Sequence, residues 1–271
     1  MQLQAYCVEP SPNSIGRIIH GFEQAPEETR KNIRFYQMAA GPKSGLNLEF
    51  SSSGGTGDHV GGAIDIWTMK KLPENAALPG HMTKVIVKSV AIDDIIYDKV
   101  EPSKDFAGNG ISNNIDKMFL IKVDTQGFEP SVFAGLKKAI ANGKIDYIIT
   151  EYWPKGIDFM NDMVEECVKP LEILKLLQAG GYSLYAMPNV SHPSEDVPKE
   201  AKHWLNDSRI NNIPYHDVEA HCKWFYEVER KFPSSKYKYG YWTDILAVAP
   251  DARLPKKPVS ELGGFLQKNL K

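Results

Sequence analysis

The sequence predicts an α/β protein built on a mostly parallel sheet. Three observations carry that reading. Short apolar runs alternate with segments of helical spacing over most of the chain, and such alternation gives parallel strands joined by right-handed crossovers. One run, Met118 to Val123, is apolar except for Lys122, as in a strand covered on both faces. Acidic residues stand where strands should end, at Glu9, Asp124 and Glu151, and open parallel sheets bind ligands beyond the carboxyl ends of their strands.

The elements follow in order. Leu3 to Val8 reads as a strand stopped by Glu9-Pro10-Ser11-Pro12. A helix capped by Asn13 or Ser14 carries Ile15, Ile18, Ile19 and Phe22 at helical spacing. Ile33 to Ala39 is a second strand, and Leu46, Leu48 and Phe50 alternate as an edge strand would. Val85 to Val90 is β-like and leads into a helical turn at Ile92 to Ile96. After Met118 to Val123, a helix starts near Pro130, carries Val132, Phe133, Leu136 and Ile140, and stops at Asn142-Gly143. Ile145 to Thr150 is a strand ending at Glu151. A helix from about Pro170 runs to Gly180-Gly181. Tyr182 to Met187 and Asp244 to Ala249 are the last strands. Between them, Val218, Cys222, Phe225, Val228 and Phe232 mark an amphipathic helix inside a long excursion. The organisation expected is one domain over residues 1–250 with an insertion at about 188–242, then a polar tail over 251–271.

Composition narrows the function. Lys plus Arg total 32 and Asp plus Glu 34 over 271 residues, a net charge of −2, which argues against a general nucleic-acid binder. No apolar run approaches the roughly 18–20 residues that span a bilayer. Cys7, Cys167 and Cys222 are odd in number and lack CxxC spacing. They predict no disulfide framework and no zinc site, and each reads as a small buried hydrophobe.

Several residues could carry chemistry. Glu9 ends a strand before a helix, where a carboxylate either accepts from the cis-hydroxyls of a ribose or serves the helix dipole. Asp124 ends the most apolar strand, where it can bind substrate or take a proton. Gly127 permits a tight turn there, and Glu129 either points into the same cleft or caps the following helix. The Gly-rich stretch from Gly54 to Gly62 lacks phosphate-loop spacing and reads as a hairpin tip or lid. His216 and His221 are five apart and share no helical face, so they and Cys222 predict no metal.

The wording of five segments adds a resemblance. Tyr6-Cys7-Val8-Glu9-Pro10-Ser11-Pro12-Asn13, Asn32-Ile33 with Ala39-Ala40-Gly41, and Ser89-Val90-Ala91-Ile92-Asp93-Asp94 come first. Leu120-Ile121-Lys122-Val123-Asp124-Thr125-Gln126-Gly127-Phe128-Glu129 and Ile148-Ile149-Thr150-Glu151 follow in order. Together they resemble the FkbM family of S-adenosylmethionine-dependent methyltransferases, over roughly residues 5 to 187 and the final strand. The resemblance implies a Rossmann-like methyltransferase sheet with Glu9 on the ribose of S-adenosylmethionine and Met38 and Ala39 passing its adenine. It implies Asp124 near the methyl group and acceptor, as base or acceptor anchor, with Glu129 the second candidate. Glu151, at the next strand end, is expected on the substrate. The acceptor expected is a hydroxyl of a small molecule or glycan. The chain differs from the family at Gln126, where glutamate is usual. It also lacks an opening strand with a glycine-rich turn, so an N-terminally incomplete chain is expected, with a gap beside Leu3–Val8 or a direct pairing of that strand with Met118–Val123. Any targeting segment would then lie upstream, and the cytoplasm is the default location. A catalytically inactive binding module is the alternative, and a nicotinamide dehydrogenase, which would need a glycine fingerprint absent here, is a distant third.

Overall fold

Apolar runs form the strands and Pro-led segments the helices in the computed structural model, which describes residues 4–52, 59–60, 64–65, 70–71, 83–106, 115–187, 211–231 and 240–253. The chain divides into two compact units. Residues 1–116 with 131–138 form the first, and residues 117–130 with 139–271 the second.

In the first unit, β1 (Ala5–Val8) pairs parallel with β2 (Ile33–Tyr36), Ala5 opposite Ile33. Between them run α1 (Pro12–Gln24) and α2 (Glu27–Arg30). Pro12 opens α1 because its fixed φ and missing N–H suit a first turn. Ser11, rather than Asn13 or Ser14, therefore stands at the N-cap position. Phe22 of α1 meets Phe35 of β2 edge to face at 6.3 Å. The predicted strand Ile33–Ala39 is interrupted at Gln37 and Met38, and β3 (Ala39–Ala40) joins a different sheet. That sheet has the order β3, β8 (Thr83–Val90), β4 (Asn47–Ser52), β5 (His59–Val60). The strand β4, expected at an edge, lies inside it, between β8 and the two residues of β5. A ribbon of β6 (Ile64–Asp65) and β7 (Lys70–Lys71), the turn α3 (Ile92–Ile96) and β9 (Lys104–Asp105) complete the unit. Of the Gly-rich stretch 54–62, only His59 and Val60 are among the described residues.

In the second unit, β10 (Met118–Val123) pairs parallel with β11 (Ile145–Tyr152). The order is then β14 (Thr243–Val248), β12 (Ser183–Met187), β13 (Asn211–Ile213), all antiparallel. The strand β11 is nearly all buried, as an inner strand of apolar and β-branched residues should be. The strand β10 is not. It stands at the edge, paired only with β11 among the described residues, and leaves Phe119 38% and Leu120 42% exposed. The expectation of cover on both faces is corrected accordingly. Among the described residues, β1 pairs with β2 and β10 with β11.

The sheets are therefore mixed rather than mostly parallel. Among the described residues, parallel pairing is confined to β1 with β2, β3 with β8 and β10 with β11. The reason is the return of β14, which enters antiparallel between β11 and β12. That insertion joins strands far apart in sequence, and no periodicity encodes it.

Helices α4 (Glu129–Ala134) and α5 (Lys137–Ala141) replace the single helix expected after Asp124. The break falls at Gly135, where a Cβ would lie 2.1 Å from the Gly41 carbonyl oxygen. Gly143, at φ +60, stops α5 as predicted. Three helices, α6 (Pro154–Met160), α7 (Lys169–Ala179) and α8 (Val218–Lys231), pack on one another in the second unit. Val218, Cys222, Phe225 and Val228 are buried as their spacing predicts, while Phe232 and the stretches 188–210 and 232–239 lie outside the described residues, as do residues 254–271 of the expected tail.

Cys222 is not a free thiol. It is joined to Cys167 by a disulfide across 55 residues, which corrects the expectation of unbonded cysteines. Sequence spacing could not reveal the pair, because α8 is brought to the turn before α7 only by folding. Beside it, Tyr226 donates to the Asp158 carboxylate at 2.6 Å, and the Cys167 and Lys169 amides donate to the same group. Cys7 is the one free cysteine among the described residues.

Candidate functional site

The carboxyl end of β10 turns sharply through Thr125, Gln126 and Gly127 into α4. Gln126 has φ 54 and Gly127 φ 96, so two successive residues occupy the left-handed region. Only glycine fits the second position, since a Cβ there would stand 2.4 Å from Met160 Cγ. Glu129 holds this turn. Its Oε1 accepts from the Thr125 amide at 2.8 Å and the Thr125 hydroxyl at 3.1 Å, and its Oε2 from the Gly127 amide at 2.8 Å. Burial pushes the Glu129 carboxyl above its ordinary value, against the pull of these hydrogen bonds. These contacts tie the turn ahead of α4, and the Glu129 charge also reaches Glu151.

The turn brings Asp124 and Glu151 together. The Gln126 amide nitrogen donates to Asp124 Oδ1 at 3.0 Å and to Glu151 Oε2 at 3.2 Å. Lys122 Nζ, two residues back on β10, lies 2.9 Å from Asp124 Oδ2. Asp244 stands opposite Glu151 in the antiparallel register of β14 with β11. Glu151 is thus partly buried among Glu129, Asp124 and Asp244, with Lys122 the opposing charge. Burial first, and then those carboxylates, push its carboxyl up to about 8. Asp244 is raised by burial, with the Asp124 charge adding and Lys122 opposing. A proton on Glu151 is therefore exchangeable close to neutral pH, which suits acid–base work.

Sequence reasoning placed Gln126 at this cleft through the resemblance but missed Asp244 as a member of the cluster. Asp244 gives no signal until the register of β14 is known. Lys122 did give one, as the single polar interruption of an apolar strand.

In the first unit, Glu9 follows β1 directly. Its amide donates to the Tyr36 carbonyl at 3.0 Å, and its Oε1 accepts from the Ser11 amide at 2.7 Å, just ahead of α1. The carboxylate is thereby fixed at the carboxyl end of a strand paired parallel to β2. Met38 packs against the buried cluster of Tyr36, Val90 and Ile95, and Ala39 is buried in β3 opposite Ser89. The anchored Glu9 carboxylate is a hydrogen-bond acceptor of the kind a ribose hydroxyl could use, whereas buried Ala39 has no side-chain surface to offer a ligand.

The former metal candidates do not converge. His221 is buried and stacks on Tyr152, His216 is exposed, and Cys222 is in the disulfide. A cavity of about 340 Å³ lies at Asp158, Phe159, Met163 and Tyr226, but Asp158 there is already engaged by Tyr226 and two amides. The carboxylates that converge are instead Asp124 and Glu151, bridged by the Gln126 amide. Among the described residues no helix is long and apolar enough to cross a membrane.

Carboxylates at the ends of adjacent parallel strands mark an α/β protein with titratable groups gathered at its strand termini. The chain matches the methyltransferase FkbM domain over residues 4–184. It belongs to the FkbM methyltransferase family. No curated protein and no solved structure matches it.

Proposed function

We propose that this chain transfers the methyl group of S-adenosylmethionine to a hydroxyl oxygen of a small molecule or glycan, on a Rossmann-like sheet. The family supports methyl transfer, and one observation carries the finer reading: Asp124 and Glu151 are bridged by a single amide, with Glu151 poised to exchange a proton near pH 8. S-adenosylmethionine, when bound, supplies an electrophilic methyl carbon on a cationic sulfur. In the first unit, Glu9 accepts hydrogen bonds from the ribose hydroxyls, while half-buried Met38 offers an apolar edge to the adenine. In the second unit, Asp124 anchors the acceptor. Ionised Glu151 takes the proton that the acceptor hydroxyl releases as its oxygen becomes nucleophilic. Glu129 acts behind them by holding the turn.

Calorimetry with S-adenosylmethionine, followed by incubation of the methyl-labelled compound with a panel of neutral oligosaccharides and hydroxylated small molecules, tests the reading. Binding that Glu9→Ala weakens at least tenfold, with label appearing as a methyl ether, is expected. Absence of binding would overturn it in favour of an inactive binding module.

A further inference from the structure

Gln126 stands at φ 54, where an L side chain is strained and glycine would be at ease. Yet its amide nitrogen is used fully: both hydrogens have carboxylate acceptors, Asp124 Oδ1 and Glu151 Oε2. The backbone beneath it is locked independently, since Glu129 takes the amides on either side, those of Thr125 and Gly127. Asn161 Nδ2 adds a hydrogen bond to the Gly127 carbonyl at 3.0 Å. The side chain is therefore not needed to form the turn, and the turn aims it.

We propose that Gln126 is a positioning residue for methyl transfer, its amide holding the Asp124 and Glu151 carboxyl groups at a fixed separation so that an acceptor hydroxyl meets both. The proposal rests on the functional reading above and deepens it. Two carboxyl groups on neighbouring strands repel when ionised. A neutral donor that touches both offsets that repulsion without filling the site with a cation. Lys122 neutralises Asp124 from its other oxygen, so the amide's distinct contribution falls on Glu151. The charged groups facing Glu151 are Asp124 and Lys122 from β10, Glu129 from α4 and Asp244 from β14. Glutamate at position 126 would add another carboxyl to that set and drive the Glu151 proton on more tightly.

The test uses Gln126→Gly, which the backbone accepts, and Gln126→Glu. First, the Glu151 carboxyl is titrated by carbon NMR in the protein without cofactor or acceptor. Both variants should titrate at higher pH than the parent, the first through loss of a donor to the carboxylate and the second through added charge. An unmoved titration in both would overturn the proposal whether or not the protein binds S-adenosylmethionine. Second, methyl transfer is measured with the panel acceptor of fastest turnover. Gln126→Gly should lose about tenfold to a hundredfold in kcat with KM for S-adenosylmethionine unchanged. Parent-like kcat in that variant would also overturn it. A parent that neither binds nor transfers, but whose Glu151 titration moves in the variants, would sink the methyl-transfer reading and leave the amide's hold on the pair standing.

Discussion

Glu151 links this protein's electrostatics to its stability. Its carboxyl is pushed up to about 8 in the folded chain from about 4.3 in the unfolded one. The folded state thus keeps a proton that the unfolded state has released. Stability from this group is fully present below the unfolded value and is lost as pH rises through the folded one. Glutamine at 151 resembles the protonated acid and does not titrate. Glu151→Gln should match the parent near pH 4 and become the more stable protein as pH rises to 8.5, by on the order of 5 kcal/mol. Differential scanning calorimetry across that range checks it, and a Tm difference independent of pH would show that Glu151 ionises normally. The same residue shows what was legible beforehand. Its place at a strand end marked it as a candidate, but the origin of its perturbation did not show in sequence. That origin is burial first, and then the charges of Glu129, Asp124 and Asp244, the last reached only through an antiparallel register.

At the scale of elements, Gly135 explains why one predicted helix became two. Its Cα passes so near the Gly41 carbonyl that a methyl group would stand 2.1 Å from that oxygen and 3.2 Å from Ala91 Cα. The Asp93 amide also donates to the Gly135 carbonyl at 2.8 Å. Neither obstacle is a flexible side chain, so the backbone itself would have to shift. Gly135→Ala should cost about 3 kcal/mol, read as a lower urea midpoint at unchanged m-value. A midpoint within experimental error of the parent would mean the approach relaxes freely. Local signals carried most elements: α3, β10 and α7 stand within a residue of where composition and periodicity put them. What failed was whatever depended on a distant partner. The break at Gly135 answers to Gly41, the exposed face of β10 to its edge position, and the inner position of β4 to two residues of β5.

At the scale of the whole molecule, the two units each carry their own buried residues. Phe35, Phe50, Ile95 and Ile96 serve the first, and Ile148, Leu174, Leu184 and Ile245 the second. The disulfide lies wholly within the second unit, where it joins α8 to the turn ahead of α7. Closing a loop of 55 residues removes conformational freedom from the unfolded chain worth about 4 kcal/mol. The partners around it, Tyr226 with Asp158, Lys155 with Glu229 and Arg230 with Glu166, order the same helix but do not restrict the unfolded state. Removing the crosslink should therefore weaken the second unit even with those contacts intact. We expect Cys167→Ala with Cys222→Ala to speed exchange of the slowest amides in β11, β14, α7 and α8 by up to about a thousandfold. The slowest amides of β2 and β8 should keep their rates. Native-state hydrogen exchange followed by peptide-resolved mass spectrometry reads both at once. Equal acceleration in the two sets would show that the chain opens as one cooperative body. No acceleration in either would show that the crosslink adds nothing to the folded protein's stability.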